Sequence, residues 1–354
     1  MNNISWKVFV DGSDMSLAMQ PFVISITVQD RDGEASDTCR LEFDDTGGQI
    51  ELPRDNASVT VFLEGVKVFD GLIDTLASRG SRSGGRVLAV TAKGFDAKGR
   101  VKDGQLWHLD DASLKQALEK AAGKAGLDGI RVDERLADVH REYWSPDGAS
   151  FLAWGQRLAR EYNATFKIRG DRAVFAGRGS NRLAPVRATL GHNLISWDIR
   201  PVTARRRFKT ATARWFDRET GKVETREIEV GQEHATATNA VRTILADRDQ
   251  AEENLKARKG QAEREGGEGS VELDLTLEAQ AEAPFILAGT RPGIDGEYRI
   301  TSVIHKVTRS QGSTTSLQIR LPETGGAAGE EADSDEFSLG NTPEAQAINE
   351  AAQQ

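Results

Sequence analysis

A single cysteine, Cys39, stands in a chain of 354 residues. It excludes an internal disulfide and fits synthesis in a reducing cytosol. Its alternation with Leu41 and Phe43 predicts a buried core thiol. No apolar run approaches the length of a membrane-spanning helix. MNNISWKVFV enters an alternating strand at once, so no secretory signal is expected. The histidines His108, His140, His192, His234 and His305 are scattered, and none makes a zinc spacing such as H-x3-H. A phosphate-cradling glycine loop and a nucleophile elbow are both missing. The acid pairs Asp110/Asp111 and Glu252/Glu253 suit helix starts and solvated faces better than a glycosidase pair, whose chemistry needs a cleft. No catalytic, cofactor-binding or metal-binding residues are expected.

The net charge of −9 is unevenly placed. Glu323, Glu330, Glu331, Asp333, Asp335, Glu336, Glu344 and Glu350 follow Pro322 with no lysine or arginine among them, and setting those eight aside leaves −1 for the body. A near-neutral body argues against a general nucleic-acid binder. The Gly/Ala/Glu composition of the tail supplies little to bury.

What is present is β-pattern at both ends and an α/β pattern between. Residues 1–103 alternate with period two, as in Trp6, Val8 and Val10, or Val59, Val61 and Leu63, and predict a first barrel-like β-domain. Across 104–183 the period becomes helical. Leu114, Leu118, Ala121 and Ala125 mark a helix capped by Asp110 or Asp111 and ended by Gly126. A strand over Gly129–Val132 follows. Phe151, Gly155, Leu158 and Tyr162 mark a second helix, with Asn163 as its left-handed terminator. Phe166 and Ile168 lead through Gly170-Asp171 to a returning strand. Residues 184–231 and 268–322 predict a second barrel-like β-domain, with 210–216 and 223–230 as a strand pair. A polar helical insertion occupies 232–267, and an acidic tail 323–354. The fold class is mainly β with an α/β insertion.

The stretch Pro292–Leu321 reads as a hairpin. Apolar parity slips between Tyr298/Ile300 and Val303/His305/Val307, which predicts a bulge near Ser302–Ile304. A similar unit is expected earlier: Asp70-Gly71 as an opening turn, the strand LIDTLASR, a Gly84-Gly85 break, and a return over Arg86–Lys93. The two hairpins suggest one β-domain present twice. His305 falls on a core-facing parity, where a hydrogen-bonded ring fits better than catalysis, since one imidazole without a nucleophile does little. Arg205, Arg206 and Arg207 form the one notable basic cluster. It suits a charge-protected strand edge or a surface meeting an acidic partner. Phe208 alone interleaves it, which weakens a nucleic-acid reading.

Three segments carry a resemblance. They are Ser150-Phe151-Leu152 through Leu158-Ala159-Arg160-Glu161-Tyr162-Asn163-Ala164-Thr165-Phe166, then Leu287-Ala288-Gly289 leading to Asp295-Gly296-Glu297-Tyr298-Arg299-Ile300, then Val303-Ile304-His305-Lys306 with Gly312-Ser313-Thr314-Thr315. In that order, over residues 1–322, the chain resembles the late control D family, the hub proteins of phage tails and related contractile injection machines. The resemblance implies two barrel-like domains, one split by an insertion, and a homotrimer whose six barrels form a ring. It implies a structural, non-enzymatic role in the virion, with the tail tube protein and the central spike protein as partners, and the tape measure and other baseplate proteins as further ones. No cofactor, membrane or specific nucleic acid is implied. A cell-wall-cleaving hub, or the hub of a type VI-like or tailocin particle, is the alternative; no needle or lysozyme-like segment is appended.

The composition after Pro322 predicts that limited proteolysis trims that segment and leaves a stable body. Mass spectrometry of the digest checks this, and strong hydrogen-exchange protection of the segment in the free protein contradicts it.

Overall fold

The computed structural model describes residues 4–33, 36–82, 84–96, 99–178, 183–200, 208–231, 235–264, 267–310 and 312–322. The Arg205–Arg207 cluster, His234 and the acidic tail lie outside them.

The chain begins with β1 (Trp6–Val10), β2 (Ser13–Asp14), a short helix α1 (Ser16–Met19), β3 (Val23–Arg31), β4 (Thr38–Asp44), β5 (Ser58–Leu63), β6 (Val66–Ser81) and β7 (Gly85–Lys93). Period-two alternation sets the buried face: Val59, Val61 and Leu63 are at most 1% exposed. Glu64 and Gly65 both take positive φ, as a two-residue hairpin between β5 and β6 requires. One expectation fails here. Asp70-Gly71 is no turn, because β6 runs straight through it, pairing Asp70 with Thr60 and Gly71 with Val59. Glycine is needed there for close approach: a Cβ on Gly71 would sit 2.1 Å from the Lys93 carbonyl oxygen.

The α/β unit follows as β8 (Leu109–Ser113), α2 (Leu114–Lys124), β9 (Gly129–Val132), α3 (Glu134–Ala137), β10 (His140–Trp144), α4 (Phe151–Glu161), β11 (Ala164–Arg169) and β12 (Arg172–Gly177). Helix α2 is capped by Ser113 with Gln116 in a capping box, not by Asp110 or Asp111, which lie in β8 paired with β10. Gly126 (φ 78°) and Asn163 (φ 48°) take the left-handed conformations expected after the two helices. On α4, Phe151, Trp154, Gly155 and Leu158 are buried against Phe166 and Phe175.

The rest comprises β13 (Val186–Thr189), β14 (Leu194–Arg200), β15 (Phe208–Asp217), β16 (Lys222–Glu229), β17 (Ala237–Leu245), α5 (Arg248–Arg264), β18 (Glu268–Asp274), β19 (Pro284–Ala288), β20 (Gly296–Thr308) and β21 (Gly312–Arg320). The pair β15–β16, expected with the second β-region, instead joins β17 in its own three-stranded sheet. Helix α5 covers that sheet. Its Ala251, Leu255 and Ala262 are buried with Ala211, Ala213 and Val241, so a narrow small-residue face packs although the helix reads as polar.

Both β-regions belong to one 13-stranded sheet. Within it one path occurs twice. The first region runs β1-β5-β6-β7-β4-β3 and the second β13-β19-β20-β21-β18-β14, each in the same chain order. The registers also coincide. Closing pairs Ser81–Gly85 and Thr308–Gly312 each lead to a bulge, at Ile73/Thr75 opposite Ala92 and Thr91, and at Ile300/Ser302 opposite Ile319 and Gln318. The second bulge thus falls just ahead of the expected Ser302–Ile304. A second matching pair of bulges breaks register at Val23/Ser25 in β3 and at Leu194/Ser196 in β14. The copies differ at one edge, where β1 runs antiparallel to β5 but β13 parallel to β19.

Replacing Gly71→Ala is expected to cost about 1–3 kcal/mol, because the contact it makes is with backbone that holds the β6–β7 ladder. Urea denaturation measures it; a stability equal to the native chain's would contradict the close approach.

Candidate assembly surface

The two β-regions meet through backbone hydrogen bonds. β20 is long enough to serve two neighbours: its first half pairs β19 and its second half pairs β3, from Ser302–Arg31 to Thr308–Ser25. The strands bring Ile26 opposite Val307 and Val28 opposite His305. Ile26, Val28 and Val307 are all buried in one apolar cluster. Each such side chain contributes about 1.5–3 kcal/mol on full burial. His305 is 7% exposed and its Nδ1 shares a 3.0 Å hydrogen bond with Thr315 Oγ1, as its parity predicted. Burial pulls its pKa down to about 4, so the ring is neutral at pH 7.

A buried ionic network ties both β-regions to the α/β unit. Lys167 on β11 pairs with Asp30 at the end of β3 and with Asp37 at 3.1 Å; Arg169 adds a 3.2 Å contact to Asp37. Arg178 pairs with Asp32. On the other side, Glu282 accepts a hydrogen bond from Thr165 and lies 3.3 Å from Arg299. Burial raises the carboxyl of Asp30, but the Lys167 ammonium outweighs it and holds the group below the usual carboxylate range. Asp37 goes the other way, raised by burial and by the Asp30 charge. Burial and the neighbouring Asp32 push Glu282 up to about 7.

A cleft of about 1360 Å³ lies where the α/β unit, the α5 sheet and the second β-region adjoin. Several of its carboxylates face guanidinium groups. Glu161 meets Arg141 at 2.5 Å, Asp198 meets Arg200 at 3.1 Å, and Glu142 pairs with Arg218. The Arg141 guanidinium also lies over the rings of Trp144 and Tyr162. A glycosidase acid must instead be held protonated in apolar surroundings beside a second carboxylate. Among the described residues no three His, Cys, Asp or Glu side chains converge as metal ligands. His108 lies 3.9 Å from Asp110 and His140 3.3 Å from Asp111, all exposed.

The sequence reading missed the surface features now visible. On β14, Ile195 and Trp197 are 48% and 40% exposed on an edge strand. The ionic network was equally unseen, since its members come from separate stretches. Arg205–Arg207 follow β14 in sequence.

The chain is similar, at 24% identity, to a probable baseplate hub protein of Escherichia phage 186, over 90% of this chain and 92% of that protein. No family model matches. Among solved structures, the 43 kDa tail protein of prophage MuSo2 from Shewanella oneidensis shares the fold with a TM-score of 0.70 at 13% identity, covering 90% of this chain and 99% of that one. A type VI secretion component of E. coli, described as structurally similar to phage T4 tail proteins, gives a TM-score of 0.60 at 12% identity over 90% and 77% of the two chains.

The Glu282→Gln variant removes one titration from the network. Glu282 is raised from 4.5 to about 7 on folding. Its contribution to stability is therefore complete below the unfolded value and is lost as pH rises through the folded one. The stability difference between native chain and variant, from urea denaturation, is expected to shift against the native chain by about 1–3 kcal/mol from pH 4.5 to pH 7.5. A difference independent of pH would contradict the raised value. With a baseplate hub protein as its relative along nine-tenths of its length and a phage-tail fold, the chain bears out the resemblance to the late control D family.

Proposed function

We propose that this chain is a structural, non-catalytic hub of a phage tail or related injection particle. Three copies form a ring that joins the sixfold tail tube to the threefold central spike. The observation that carries this reading is the single strand path occurring twice in one chain, bulges included. Three chains then present six near-equivalent surfaces, which is what a threefold body needs to meet a sixfold one. Relatives that are tail and baseplate components support a place in the virion, with synthesis in the bacterial host cytoplasm. Its partners in this reading are itself, the tail tube protein, the central spike protein, the tape measure and other baseplate proteins.

In this reading the barrel-like units are 1–103 and a second built from 184–200 and 268–322. The α/β unit is 104–183. The insertion starts earlier than the 232–267 expected, because β15 and β16 pair with β17. It contacts the α/β unit, where Asn254 donates to Glu161. In the first copy, Asp32 to Asp37 occupies the corresponding place, so the insertion is the main break in sixfold equivalence. The Arg205–Arg207 cluster lies in the link into that insertion and is the expected contact for an acidic neighbour. A type VI-like hub is the second reading, favoured by the likeness to the E. coli component.

Light scattering on the purified chain is expected to give three copies; a strict monomer or dimer, alone and with its spike, would sink the ring. Purified protein is also expected to leave cell walls intact. Turnover abolished by Glu134→Gln or Glu142→Gln would instead establish an enzyme.

A further inference from the structure

The cleft beside the α/β unit, the α5 sheet and the second β-region holds uncompensated positive charge. Nine arginines, seven carboxylates and no lysine line it. Arg141, Arg200 and Arg218 are each held by a carboxylate. Arg157 and Arg160 on α4, Arg258 on α5 and Arg320 at the end of β21 line it too, and among the described residues none of these four meets one. Arg157 and Arg160 are exposed and three residues apart, so they share one side of their helix; Arg258 and Arg320 are half-buried. A free guanidinium offers a fork of donors that matches a carboxylate. The volume of about 1360 Å³ exceeds the roughly 300–1,000 Å³ of small-molecule pockets, so the anion that fits is a length of chain. The interspersed carboxylates tell against a nucleic acid, whose unbroken run of phosphates would meet them as well.

We propose that this cleft binds an acidic, extended protein segment, and that the segment is the one after Pro322 of a neighbouring copy. Its chemistry is complementary. Glu330, Glu331, Asp333, Asp335 and Glu336 put five carboxylates into seven residues, with no lysine or arginine beside them. Phe337 and Leu339 follow at once. The cleft wall carries Tyr143 and Ile244, 58% and 52% exposed, as apolar surface to receive them. The stretch 323–329 ahead of the acidic run extends to at most about 25 Å, enough to cross between copies that touch. Among the described residues the chain's own fold brings no carboxylate to the four arginines, so the anion comes from outside that fold. That a second copy supplies it rests on the ring reading above, whereas the chemistry of the ligand rests on the cleft alone.

Full-length chain tests it, with a fluorescent synthetic peptide of residues 330–340 as probe. The control is the same peptide with every Glu as Gln and every Asp as Asn. Fluorescence anisotropy is expected to show the acidic peptide binding at least ten times tighter than the control. Arg157→Glu with Arg258→Glu is expected to weaken it at least tenfold, with circular dichroism unchanged. Equal binding of both peptides, or binding indifferent to the two arginines, overturns the cleft. Double-stranded DNA that binds more tightly than the peptide, with the same dependence on arginine, overturns the choice of ligand. Mixing chains that carry Arg258→Cys with chains that carry Asp333→Cys identifies the donor. Mild oxidation is expected to link them as dimers on non-reducing gels, and to link neither chain alone. The native thiol, Cys39, is buried and does not compete. Peptide binding without that link overturns exchange between copies and leaves the cleft standing. A trimer that neither binds the peptide nor links overturns the cleft and leaves the ring reading standing. A chain monomeric at every concentration overturns the ring reading and the exchange with it.

Discussion

The β3–β20 pairing is the constraint on which the architecture depends. It joins residues 25–31 to residues 302–308, so nearly the whole chain is looped out between its two strands. Everything in that loop, the α/β unit and the α5 sheet included, must leave the main sheet and return to it. Loop closure of this length is an entropic cost that local structure does not offset. The return on it comes only when Ile26, Val28 and Val307 close over one another. Folding that ends with so non-local a pairing is expected to be slow for its size.

The ionic network does for orientation what the seam does for connection. An apolar face tolerates sliding, but Lys167 between Asp30 and Asp37, and Arg178 against Asp32, fix the α/β unit at one place beside the end of β3. Removing one member of such a buried set leaves a charge without compensation, at about 3–5 kcal/mol. Apolar residues of similar volume in place of a whole buried ionic set often leave stability unchanged or raise it, so the value of this set lies in positioning rather than in net stability.

The sequence was informative about faces and uninformative about partners. Alternation found β5 and β11, and the parity slip near Ser302 found a bulge within two residues. The stripe Phe151, Gly155, Leu158 and Tyr162 found the buried face of α4. Period two says which side of a strand is buried, not which strand lies beside it. That is why β15–β16 was placed with the wrong sheet, and why the seam was invisible. Asp70-Gly71 misled for another reason: the same dipeptide serves a turn or a close backbone approach, and only the Lys93 carbonyl shows which. The bulge at Leu194/Ser196 breaks the alternation of β14 and hid the edge on which Trp197 and Ile199 lie. Arg205–Arg207 drew attention by charge alone, and lie outside the described residues.

The two copies agree where a seam requires it and differ where none does. Pairing is held in register along β3, β4, β6 and β7 and along β14, β18, β20 and β21, through each matching bulge. The opposite edge is free of that demand, and there β1 and β13 run in opposite directions relative to their neighbours. The insertion likewise enters between β14 and β18, a connection represented in the first copy by the short stretch from Asp32 to Asp37. A bulge sets the twist of its strand, so shifting one by a single position would turn the face that the next strand must meet. Both bulges keep their places in both copies, so the two sheets turn matching faces toward the strands beside them.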